Sequence, residues 1–217
     1  MSTSVSGAAA VVGVVTAANR LGAVSIPALA SSPRGIGEGK LWLLATSALL
    51  ADRPLAPSFI GFVVVGLAAL AVCGARVLWT TAAAGHVLSA LGVYGLVGAV
   101  RLVDPAAFQS VLSLQDYGLS AVIAAWIGAI ACVQWRRGTG FGRRIAIVAG
   151  CLGCAGIGIL CRPDLTVLDS EHVVAFAIGV ALARIDLGPA FARAADLVRL
   201  ARRAAAVPLW LRQLRSS

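Results

Sequence analysis

Six apolar segments recur along the chain, and the short stretches between them hold most of the charged residues. Hydrophobic residues fill 59% of the 217 positions, charged residues fill only 12%, and the mean hydropathy is +0.92. A soluble domain does not need so much apolar surface, whereas a bundle of membrane-spanning helices turns that surface towards lipid. The composition therefore predicts an all-α polytopic membrane protein.

The segments predict six transmembrane helices and one shorter apolar element. The expected spans are 8–30, 59–73, 80–100, 117–135, 145–160 and 172–183. The stretch 41–51 is apolar but falls short of the roughly 20 residues that a spanning helix needs, so we expect it at the membrane surface. The first segment ends in Ala28-Leu29-Ala30, which resembles a signal-peptide cleavage site. Because no basic residue precedes it, we expect the segment to be retained.

Clusters of arginine follow the fourth and sixth segments, and the formal net charge is +9. Because cytoplasmic loops of membrane proteins carry an excess of basic residues, we expect both clusters on the cytoplasmic side. The arginines are Arg136, Arg137, Arg143, Arg144, and then Arg184, Arg193, Arg199, Arg202, Arg203, Arg212 and Arg215. The fourth and sixth segments would then run in the same direction. The protein is predicted to be a multi-pass protein of the cell membrane with a cytoplasmic C-terminus.

We divide the chain into a transmembrane domain, residues 1–187, and a basic tail, residues 188–217. The tail mixes apolar residues such as Phe191 with arginines, which is typical of an amphipathic helix on an anionic membrane surface. The lipid bilayer is therefore an expected partner. Nucleic acid is not expected, because membrane topology already explains the positive charge.

Nothing in the sequence predicts a cofactor or a bound metal. Cys151 and Cys154 have the spacing of a redox or metal-binding pair, but no histidine or second cysteine pair lies near them. Both belong to an apolar segment, where cysteine packs as a small apolar side chain.

Two polar residues open the fourth and sixth segments at matching positions. Ser120 precedes Gly128 by eight residues, and His172 precedes Gly179 by seven. At a helical rise of 1.5 Å per residue, each polar residue lies roughly 10–12 Å along its helix from the glycine. If the two helices are parallel and touch at their small residues, Ser120 and His172 lie at the same depth, near the outer membrane face.

A serine hydroxyl becomes a nucleophile when a base within hydrogen-bonding reach takes its proton, and histidine is such a base. Small residues along both segments permit close helix contact. They are Ala124, Gly128, Ala175, Gly179 and Ala183. The simpler alternatives stay open, since a serine can bond to its own helix carbonyls and a histidine at a helix end can face water. Asp169 and Glu171, which precede His172, are interpreted as solvated loop residues.

Together these motifs resemble the rhomboid family of intramembrane serine proteases. The family has six core helices, a Gly-x-Ser motif at the fourth and a histidine at the sixth. The matching residues are Gly118, Ser120, Ala125, Gly128, His172, Ala177, Gly179, Ala181 and Ala183, with Trp42 similar to the tryptophan of the first loop. The resemblance implies a six-transmembrane-helix rhomboid-like bundle. It also implies a serine endopeptidase that cleaves the transmembrane helices of single-span membrane proteins through a Ser120–His172 dyad.

The chain departs from the family pattern in its second span. Active members carry a histidine and an asparagine there that stabilise the oxyanion, and the segment Pro57 to Leu70 has neither. Loss of one oxyanion donor typically costs ~10²–10³ in rate. Gly118 and His86 are the candidates for substrate or oxyanion support. The alternative function is a catalytically inactive rhomboid-like protein that binds transmembrane segments.

Overall fold

The computed structural model describes residues 2–51, 54–160 and 166–186, with the backbone alone at 2, 152–160, 166–169 and 186. The described chain is all-α, as predicted. Its helices are α1 (Ser2–Arg20), α2 (Ile26–Leu29), α3 (Pro33–Gly37), α4 (Leu43–Thr46), α5 (Leu55–Cys73), α6 (Ala75–Val103), α7 (Ser120–Arg137), α8 (Gly140–Leu160) and α9 (Thr166–Asp186). Short 3-10 turns lie at Ser47–Leu49 and Val111–Ser113. The predicted tail, residues 188–217, lies outside the described residues.

The prediction of a six-span bundle is wrong. Among the described helices, α5 and α6 are the two that are long and apolar enough to cross a membrane. Six long helices do coincide with the six apolar segments, but charged residues shorten the apolar part of several of them. In α9 the uncharged run between Glu171 and Arg184 is only 12 residues. In α7 it ends at Arg136, 16 residues after Ser120. Both runs fall short of the roughly 20 residues needed.

Glycine and proline decide where the helices end. The first helix stops at Arg20 rather than at residue 30, because Gly22 has a left-handed backbone (φ +74°) and a separate helix, α2, begins at Ile26 with Pro27 in its first turn. Gly74 (φ +86°) separates α5 from α6, and Gly138 (φ +69°) ends α7 while its N–H donates to the Trp135 carbonyl. Such positive φ angles cost glycine little and other residues much more.

Helix α7 lies at the centre of the bundle and packs against α5, α6, α8 and α9. Its Trp126 is completely buried, with its ring 5.0 Å from that of Phe62 on α5. The indole Nε1 donates a 2.9 Å hydrogen bond to the Leu78 carbonyl near the start of α6. A buried indole is a large apolar group that needs a partner for its N–H, and this bond supplies it.

Helices α7 and α9 run parallel and touch at glycine. A Cβ atom on Gly128 would collide with the Phe176 carbonyl, and one on Gly179 would collide with the Ala125 carbonyl. At the far end, Arg136 Nη1 donates 2.9 Å to the carbonyl of Arg184. Small residues therefore let the two backbones approach closely.

Candidate functional site

Ser120 is the first residue of α7 and is half-buried. The turn before it depends on Gly118, whose φ of +131° is hard for any other residue. The Leu119 carbonyl accepts from the Ile123 N–H at 2.9 Å, which starts the helix. Ser120 thus lies where the first amides of a helix lack intrahelical partners and the helix dipole favours negative charge.

His172 is part of the first half of α9 and is half-buried. Its Nδ1 atom is buried and has no hydrogen-bond partner in the described part of the chain. Buried polar atoms in proteins nearly always have a hydrogen-bond partner. A group that binds to Nδ1 during function would explain why this atom has none.

The structure brings the two predicted catalytic residues to the same end of the α7–α9 pair. Ala121, which follows Ser120, packs in one cluster with Ala125 and with Ala175, which lies one helical turn after His172. Within residues 2–51, 54–160 and 166–186, no hydrogen bond joins Ser120 to His172. The helices therefore set the two side chains at a common depth without closing a dyad.

Gly118 and His86, the predicted support residues, both bind Ser47 in the 41–51 stretch. The Gly118 N–H donates to the Ser47 carbonyl at 3.1 Å, and Ser47 Oγ lies 2.9 Å from His86 Nε2. His86 is 5% exposed and Ser47 is fully buried. Together they hold the surface stretch against α6 and against the entry into α7.

A buried cluster that sequence reasoning missed holds the segment before Ser120. The backbones of Ser31 and Asp116 form an antiparallel bridge with N–H to carbonyl distances of 2.9 and 2.8 Å. Tyr94 OH donates to Asp116 Oδ2 at 2.7 Å and lies 2.8 Å from Ser31 Oγ. Ser31 and Asp116 are 85 residues apart, so no local signal in the sequence could have paired them.

Glu171 is buried, so its interpretation as a solvated loop residue is wrong. It is 3% exposed, and its Oε1 accepts a 3.1 Å hydrogen bond from Ser89 on α6. The side chain of Asp169 lies outside the described residues. Burial, followed by the nearby Asp116 carboxylate, raises the pKa of Glu171 to about 10. Glu171 is therefore protonated at neutral pH and fixes the helix turn that carries His172.

The raised pKa of Glu171 predicts that stability falls as pH rises from about 4.5 to about 10. Because the folded pKa lies above the unfolded value of 4.5, the folded state holds the extra proton between pH 4.5 and about 10. Stability must then fall as pH rises through that range. In Glu171→Gln the amide keeps an acceptor for Ser89 and has no proton to lose. We expect it to flatten the slope and to stabilise the protein at pH 9 by on the order of 1–3 kcal/mol.

Thermal unfolding in detergent between pH 5 and pH 9 measures this effect. Glu38→Gln is the control, because Glu38 is exposed and pairs with Lys40 at 2.8 Å, which lowers its pKa instead. It should leave the slope between pH 5 and pH 9 unchanged. An equal slope in wild type and Glu171→Gln would contradict a buried, protonated Glu171.

In the described part of the chain, no group of three or more histidine, cysteine or acidic side chains is arranged to hold a metal ion. Comparison with known proteins adds nothing to the geometry: no family model, no curated protein and no solved structure matches the chain.

Proposed function

We propose that the protein is a serine endopeptidase of the cell membrane that cleaves the transmembrane segments of single-span proteins. The observation that carries the proposal is the parallel contact of α7 and α9 at Gly128 and Gly179, which brings Ser120 and His172 to one end of the pair. The candidate spans α5 and α6 support a membrane location. The C-terminus is proposed to be cytoplasmic.

In this mechanism Ser120 Oγ attacks the scissile carbonyl while His172 takes its proton. His172 then gives that proton to the leaving amine as the C–N bond breaks, and a water molecule, deprotonated by His172, hydrolyses the acyl-enzyme and restores Ser120. A histidine protonated at Nδ1 leaves Nε2 as the acceptor that the serine needs. The absence of a Ser120–His172 hydrogen bond fits a resting site, because such bonds often tighten only when substrate binds.

The N-terminus of α7 is the proposed source of oxyanion stabilisation. The amides of Ser120 and Ala121 belong to the first turn of α7, where backbone N–H groups point out of the helix. The helix dipole adds a partial positive charge at the same place. The Gly118 amide and the His86 side chain both bind Ser47, so in this mechanism they position the start of α7 and do not bind the oxyanion themselves.

Labelling with a fluorophosphonate probe tests the proposal, because such a probe reacts only with an activated serine. We expect the wild-type protein in detergent to be labelled at Ser120, as located by peptide mass spectrometry. Ser120→Ala should abolish labelling, while Ser113→Ala, a change at an exposed serine, should not. A folded wild-type protein that resists the probe would overturn the proposal.

A second candidate function is a catalytically inactive protein that binds transmembrane segments. Two observations favour it: Ser120 and His172 are not hydrogen-bonded to each other in the described chain, and the predicted support residues are engaged by Ser47. Capture of a transmembrane peptide with equal affinity by wild type and Ser120→Ala, without probe labelling, would support this function over proteolysis.

A further inference from the structure

A groove of about 480 Å³ lies between α7, α8 and α9 at the end of the bundle opposite Ser120. Its floor is apolar and includes Cys132, Ala146 and Val180. Its rim carries Arg136, Arg184 and Trp135. The combination of an apolar floor with a cationic and aromatic rim is the character of a site for an amphipathic anion.

This end of the molecule is strongly cationic. Besides the two rim arginines, it carries Arg76, Arg137, Arg143 and Arg144. The acidic side chains that the structure describes all belong to the opposite end, where α6 ends and α7 and α9 begin. They are Glu38, Asp104, Asp116 and Glu171. Asp186 also ends α9 at this end, and its side chain lies outside the described residues. The described side chains around the groove carry a net positive charge, which attracts an anion.

The groove also lies at the correct level for a lipid headgroup. Arg137 Nη2 donates a 2.9 Å hydrogen bond to the Val72 carbonyl, close to Gly74, where α5 ends and α6 begins. The arginine end of α7 is therefore level with one end of both candidate spans. That end is where a bilayer places its phosphates, and tryptophan and arginine are the residues that favour this level.

Arg184 is the rim residue best placed to bind a ligand. Its backbone carbonyl accepts from Arg136 Nη1 at 2.9 Å, which draws the two arginines together across the α7–α9 contact. Its own guanidinium makes no hydrogen bond or ion pair with the side chains that the structure describes. Both arginines line the groove, so a phosphate held there can accept hydrogen bonds from the two side chains.

We propose that this groove binds an anionic phospholipid. The phosphate lies between the Arg184 and Arg136 guanidinium groups, Trp135 lies at the headgroup level, and one acyl chain follows the apolar floor past Cys132, Ala146 and Val180. Binding would join α8 to the α7–α9 pair. The site is independent of Ser120 and His172, and it stands whether or not the protein is a protease.

The test compares lipids and arginine variants on the delipidated full-length protein in detergent. The unfolding temperature is measured at increasing concentrations of phosphatidylglycerol, and the number of bound lipids is determined by native mass spectrometry. Phosphatidylcholine and inorganic phosphate are tested in the same way for comparison. We expect saturable stabilisation by phosphatidylglycerol alone. Arg184→Gln should weaken its affinity at least tenfold. Arg144→Gln, which removes the same charge from an exposed position outside the groove, should change it less than twofold.

Arg184→Lys separates the role of the site from a folding defect, because it keeps the charge and loses the bidentate geometry. We expect its affinity to lie between wild type and Arg184→Gln. Equal losses in Arg184→Gln and Arg144→Gln would overturn the proposal, because they would show diffuse attraction to a basic surface. Equal binding of phosphatidylcholine, or full stabilisation by inorganic phosphate, would overturn it as well.

Discussion

Ser120→Ala is expected to lower the rate of substrate cleavage by on the order of 10³-fold or more. The alanine removes the only atom that can attack the scissile carbonyl in the proposed mechanism and leaves the backbone of α7 intact. Because Ser120 is half-buried at the first position of the helix, the change should cost little stability. The measurement is the initial rate of cleavage of a single-span model substrate in proteoliposomes.

His172→Ala supplies the internal check on this prediction. If the two residues act as one unit, His172→Ala should reduce the rate about as much as Ser120→Ala. The double variant should then be no slower than either single one. Ser113→Ala serves as the matched serine control and should cleave at the wild-type rate. An unchanged rate in Ser120→Ala would remove the catalytic role of this serine.

The spacing of small residues predicted the central helix contact correctly. Gly128 and Gly179 follow Ser120 and His172 at nearly equal intervals, and each lies against the backbone of the partner helix, Gly128 at Phe176 and Gly179 at Ala125. Spacing of this kind is local information, because helical rise is constant along a helix. The parallel direction was predicted from the arginines on the assumption that both helices cross the membrane, and neither α7 nor α9 is among the candidate spans of the described chain.

The polar contacts around the site could not be predicted in the same way. Ser31, Tyr94 and Asp116 lie far apart in sequence and meet only because the 3-10 and loop segments fold back on α6. Glu171 was predicted to be solvated, since a charged side chain beside a loop is usually exposed. Its burial depends on Ser89, 82 residues earlier, and on Asp116.

The number of spans was overestimated because each apolar segment was counted as a span, including segments shorter than the roughly 20 residues that a bilayer requires. Alanine and valine are frequent in α1, α7 and α9 and raise the mean hydropathy of the chain. Yet charged residues near the ends of α7 and α9 leave less uncharged length than a bilayer requires. The same small residues that raised the predicted number of spans instead serve the close packing of α7 against its neighbours.

Gly179→Ala is expected to destabilise the protein by on the order of 2–4 kcal/mol. The added methyl group would meet the carbonyl oxygen, carbonyl carbon and Cα of Ala125, which are backbone atoms that cannot rotate away. The two helices must therefore move apart, although alanine favours a helix over glycine by up to about 1 kcal/mol. Thermal unfolding in detergent measures the loss of stability.

Gly95→Ala is the matched control, because Gly95 is also a helical glycine but has no atom within 4 Å of an added Cβ. It should be neutral or slightly stabilising, since it gains helix propensity and meets no neighbour. The geometry also predicts that Gly179→Ala slows probe labelling of Ser120 at temperatures where it is still folded, because moving α9 moves His172. If Gly179→Ala had the same unfolding temperature and the same labelling rate as Gly95→Ala, the close contact of α7 and α9 would not be what aligns Ser120 with His172.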